Sequence, residues 1–150
     1  MNTVKHLSNL SLQSFSKRRF NFLSKNIIIP VILVTLLGNL LNFLFVTMEF
    51  YKYPFRPLSD TFSINILSSF IGLPLLVYLF LLTESQVNKW GRIGIILFLS
   101  LLVAIFEKFA EVCGVFVHSV HWNHLYIFIE YFLLLLMSSA INYWLEKYRG

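Results

Sequence analysis

Residues 27 to 48 read IIIPVILVTLLGNLLNFLFVTM, twenty-two positions without a single charge. At about 1.5 Å per residue such a helix extends ~33 Å, enough to cross a hydrocarbon core roughly 30 Å thick. Three further stretches have the same character, at about 62 to 83, 93 to 115 and 125 to 145. Each predicts a membrane-spanning helix, because a backbone in lipid must satisfy its own hydrogen bonds. The expected fold is all-α, a four-transmembrane-helix bundle spanning 27 to 150 behind a basic tail at 1 to 26.

Composition agrees. Of 150 residues, 57% are apolar and 13% charged, and the mean hydropathy is +0.73. Soluble domains carry about 25% charged residues, so this chain has too few to cover a water-facing surface, and the lipid bilayer is its first partner. One cysteine, Cys113, excludes an intrachain disulfide and a two-cysteine redox relay.

Charge placement sets the expected orientation. Residues 1 to 26 hold Lys5, Lys17, Arg18, Arg19 and Lys25 and no acid, which alone supplies the net charge of +5. The tail, loop two (ESQVNKWGR) and the C-terminal end carry nine Lys or Arg, against Lys52 and Arg56 in loops one and three. By the positive-inside rule both termini are expected in the cytoplasm, with loops one and three outside. The first apolar run exceeds the roughly 7–15 residues of a signal-peptide core and no small-x-small site follows it, so it is read as a retained helix. The expected location is the cell membrane, multi-pass. The serine-rich, acid-free tail keeps an organelle inner membrane as the alternative.

Polar residues inside spans are costly facing lipid, so their spacing marks inward faces. Thr35, Asn39, Asn42 and Glu49 form one helical stripe, and Asn65, Ser69 and Gly72 another. Ser100, Glu107, Glu111, Gly114, His118 and His121 would align on a continuous third helix. That helix would be about 43 Å long, so the histidines lie beyond the membrane core or the helix breaks near Gly114. Lys108 falls off the stripe and is placed to pair with Glu111. Asn123, Tyr126 and Glu130 share a face of the fourth span. Counting from the span ends puts Asn42, Asn65, Glu107 and Glu130 at a similar depth, roughly 5–10 Å below the outer surface. They predict one polar pocket, with Tyr126 on its lining.

Glu and His together suit zinc, manganese or iron. The candidate ligands for a metal or a proton are Glu107, Glu111, Glu130, His118, His121 and His124; no cofactor is expected, a divalent metal being the one this set would admit. An interhelical packing network explains the same residues, and both readings stay open here. There is no GxSxG, no glycine-rich phosphate loop and no nucleophile beside a base, so the chain is read as non-enzymatic. The basic residues lack a fold to present them to nucleic acid, which is excluded as a partner.

The run YPFRPLSDTFSINILSSFIGLP, the spacing of Glu107, Glu111 and Trp122, and the closing NYWLEKY resemble a family of small, uncharacterised integral membrane proteins of spore-forming Gram-positive bacteria. The resemblance covers residues 47 to 148. It marks Tyr53, Pro54, Arg56, Glu107, Glu111 and Trp122 as family-like positions and implies an envelope or sporulation setting, with no activity attached. The expectation is a non-enzymatic envelope component or accessory subunit, partnered by another membrane protein or a second copy of itself. The alternative is a transport or sensing protein that binds a proton or divalent metal in the outer half of the bundle.

Overall fold

The computed structural model describes residues 25–55, 61 and 63–149. The basic tail, except for the backbone of its last two positions, and Arg56 lie outside them. The architecture is all-α, as expected: α1 (Lys25–Thr47), α2 (Leu73–Glu84), α3 (Lys89–Val112) and α4 (His124–Arg149). Two short strands, β1 (Tyr51–Lys52) and β2 (Val117–His118), join the connecting loops.

Three helices are long and apolar enough to cross a membrane, over Ile27–Thr47, Lys89–Val112 and His124–Tyr148. The second expected span, 62 to 83, is shorter than read from the sequence. Its apolar helical stretch runs over Ser68–Glu84 and opens with a π-helical turn, Ser68–Gly72. Asn65 sets that start: its Oδ1 accepts from the Leu67 and Ser68 amides at 3.1 and 3.4 Å, satisfying donors that a helix N-terminus leaves orphaned.

Helix packing follows side-chain size. A Cβ at Gly38 would lie 2.5 Å from Leu73 Cδ2 and 3.3 Å from Leu134 Cδ1, so α1 approaches α2 and α4 closely only because that position has no side chain. Around it Val34, Leu73, Val77, Phe80, Leu81, Ile96, Leu134 and Leu135 form the main core. Outward faces carry Leu36, Phe98, Ile105 and Phe109, each more than half exposed. Apolar side chains cover that surface because hydrocarbon is its solvent.

Two helices end through left-handed residues. Glu49 has φ 58° and Gly114 φ 75°, and the following amides turn back, Phe50 N to Phe45 O at 3.0 Å and Val115 N to Ala110 O at 2.9 Å, in the manner of a Schellman motif. The third helix therefore stops at Val112, which resolves the choice left by its length in favour of the break. Beyond each stop the chain enters a strand. The strands pair antiparallel, Tyr51 with His118 and Lys52 with Val117, and the Ser119 amide donates to Phe50 O at 2.8 Å. Loops one and three are thus one unit, sealed from below by a second core of Tyr51, Phe116, Trp122 and Ile127.

Candidate functional site

The break at Gly114 turns the chain back over the end of α3. His118, fixed on β2, brings Nε2 to 2.8 Å from Glu111 Oε1. His124, the first residue of α4, places Nε2 3.2 Å from Glu111 Oε2 and Nδ1 3.5 Å from Glu107 Oε1. The two imidazoles stand nearly perpendicular, with centroids 5.1 Å apart. One ligand atom each from Glu111, His118 and His124 falls within 4.8 Å of the other two. Tetrahedral ligands at about 2.0–2.2 Å from an ion stand roughly 3.4 Å apart, so binding would draw the widest pair together by as much as about an ångström.

The surroundings orient these donors. His118 Nδ1 lies 2.9 Å from the Ser119 carbonyl. A carbonyl only accepts, so Nδ1 carries a proton there and Nε2 is left to face Glu111. Glu107 stands behind His124 as an outer carboxylate, the arrangement that commonly holds a metal-ligating imidazole in position. Its Oε1 accepts from Trp122 Nε1 at 3.3 Å, while Oε2 is buried without a hydrogen bond; both ring nitrogens of His124 are likewise buried and face the carboxylates without hydrogen-bond geometry. Buried polar atoms without hydrogen bonds are uncommon; three of those among the described residues lie on this cluster. Each short contact between an imidazole nitrogen and a carboxylate oxygen requires a proton or a metal ion between the two lone pairs. Lys108 Nζ, 2.7 Å from Glu111 Oε2, supplies the only lysine or arginine ion pair to the cluster among the described residues.

Trp122 anchors the site from inside. Its ring centroid lies 5.2 Å from Phe45, 5.0 Å from Tyr51 and 5.4 Å from Tyr126.

The remaining residues singled out from the sequence go elsewhere. His121 is exposed and sits on an apolar groove of about 440 Å³ between α1 and α4, with Trp122, Tyr126 and Glu130. It belonged to the third-span stripe only while that helix was read as continuous. Glu130 also lines a separate internal cavity of about 40 Å³ with Asn39, Asn42 and Tyr53. There Asn42 is a hub: Nδ2 donates to Ser69 Oγ at 2.9 Å, and Oδ1 accepts from Tyr51 OH at 2.9 Å and Tyr53 OH at 3.5 Å. Burial, with neighbouring acidic groups, pushes the phenols of Tyr51 and Tyr53 well above the ordinary tyrosine range. Asn65 is not on either lining, because its side chain is spent on the helix start. Pro54 is exposed. The single expected pocket is therefore two sites, one at the loops and one in the bundle.

A third polar group, missed in the sequence, lies at the opposite end of the bundle. Glu84, only 3% exposed, meets Arg92 at 2.8 Å and accepts from Ser139 Oγ. Glu84 and Ser139 are 55 residues apart, so no local spacing links them. No protein-family model, curated protein or solved structure matches this chain.

Proposed function

We propose that this chain is a small, non-enzymatic multi-pass component of the cell membrane that binds a divalent transition metal through Glu111, His118 and His124 and serves to sense or carry that metal. The convergence of three donor atoms within 4.8 Å carries the reading. Two imidazoles and one carboxylate match zinc, and also manganese or ferrous iron, and three protein ligands leave a position open for water or for a ligand exchanged during transfer. In this proposal the Ser68–Glu84 segment is the fourth crossing, both termini are cytoplasmic, and the cluster faces outward. An envelope setting accords with the resemblance to small membrane proteins of spore-forming bacteria, as does a membrane-protein or self partner for the joined loops.

Elemental analysis of detergent-purified protein tests it. Wild type retains about one zinc per chain after dialysis, His118→Ala/His124→Ala retains none, and His121→Ala, altered outside the cluster, behaves as wild type. Equal metal in all three, or none in wild type after zinc is supplied, overturns metal binding and leaves a packing and interaction module.

A further inference from the structure

The internal cavity that Glu130 lines has a different chemistry from the histidine cluster. It is bounded by α1, the π-helical turn and α4, and its polar wall consists of side-chain amides, hydroxyls and one carboxylate. No lysine, arginine or histidine among the described residues lines it. Glu130 lies six residues into α4, about 9 Å along its axis, where an ionised carboxylate without a positive partner is strongly disfavoured. Asn39, one helical turn from Asn42, leaves both amide atoms buried without a hydrogen bond. The cavity thus combines a carboxyl group, which a bound cation would let ionise, with an unspent amide oxygen.

We propose that this cavity binds a sodium ion, held by the Glu130 carboxylate, the Asn39 amide oxygen and the hydroxyls of Ser69 and Tyr131. All-oxygen donors select hard cations over the transition metals that nitrogen donors favour. A single carboxylate balances a single positive charge, whereas calcium sites gather several carboxylates. The volume of about 40 Å³ exceeds the roughly 10–15 Å³ that one water needs, so a small ion fits together with water. The ion would neutralise Glu130 and occupy Asn39 at once, two deficits that a proton on the carboxyl alone does not repair. The site stands apart from the metal reading, since none of its ligands belongs to the histidine cluster.

The experiment follows thermal unfolding of the full chain in detergent at fixed pH and ionic strength, with sodium, potassium or N-methylglucamine as the chloride. Sodium raises Tm saturably while potassium and N-methylglucamine do not, and Glu130→Gln abolishes the response. Asn39→Ala weakens the sodium midpoint by about tenfold, equivalent to ~1.4 kcal/mol. His118→Ala/His124→Ala keeps the full sodium response, so the two sites fail or succeed separately. Identical Tm in the three salts, or a sodium response undiminished in Glu130→Gln, overturns the proposal. Should Glu130→Gln not fold, Ser69→Ala and the broadening of the sodium-23 resonance by wild-type protein decide it: no broadening that lithium can compete away means no site.

Discussion

Glu111 and His118 meet at 2.8 Å across a helix end, although a helix continued through them would merely have stacked them on one face. The contact depends on the reversal at Gly114, whose φ of 75° costs an L-residue about 1–2 kcal/mol. Gly114→Ala is expected to lower stability by about that amount and to weaken zinc binding with it. Gly94→Ala is the matched control. A Cβ at Gly94, inside α3, meets nothing within 4 Å, so alanine there stabilises by about 0.5–1 kcal/mol. Denaturant titration of both variants, with zinc affinity alongside, checks the pair.

Lys108 competes with any metal for Glu111. Its ammonium lies 2.7 Å from Oε2, but its side chain is 58% exposed, and exposed ion pairs contribute about 0–1 kcal/mol to stability. Lys108→Gln should leave Tm nearly unchanged while tightening zinc binding about fivefold, equivalent to ~1 kcal/mol. Isothermal titration reads both the affinity and the stoichiometry. Unchanged affinity would show that the lysine plays no part in metal selection.

Gly38 controls a helix contact at the edge of the Glu130 cavity, which it lines together with Leu73 and Leu134. With Leu73 Cδ2 only 2.5 Å from a built Cβ, Gly38→Ala forces α2 or the Leu73 side chain to shift, an overpacking cost of about 1–3 kcal/mol. Leu73→Ala in the same chain removes the obstruction, so the double variant should be more stable than the sum of the single effects predicts. Additive losses in a double-mutant cycle would contradict this packing.

The phenols of Tyr51 and Tyr53 give the protein an alkaline limit. Burial keeps both protonated above the ordinary tyrosine value, near 10, while the unfolded chain ionises at that value. Their contribution is complete below about pH 10 and is lost as pH rises beyond it. Tm should therefore hold to about pH 9 and fall above 10. Tyr51→Phe should flatten the fall while costing about 1 kcal/mol at neutral pH through the lost bond to Asn42. Tyrosinate absorbance followed beside thermal melts measures both.

Helix class and three of the spans were legible because twenty-residue apolar runs have few alternatives. Residues with local spacing also gave their pairings, as with Lys108 and Glu111. The second helix was drawn too long because hydropathy does not register that Asn65 caps the chain after Ser63 and Ile64. The metal cluster was only half legible. Glu107, Glu111 and His118 fell on one stripe, but the angular argument carried past Gly114 added His121 to it and left His124 off, whereas the reversal brings His124 in. Glu84 and Ser139 were out of reach, since their contact is a product of how α2 and α4 settle against each other.

The order of the ladder has a consequence for how this chain tolerates change. Glu107, Glu111, His118 and His124 all belong to one helical hairpin, so a short stretch of sequence carries the complete donor set. The strand that aligns His118 comes from β1, more than sixty residues earlier. A transplanted α3–α4 hairpin would bring every ligand to a new host and leave the alignment behind, so the chemistry is modular in sequence while its precision belongs to the whole chain.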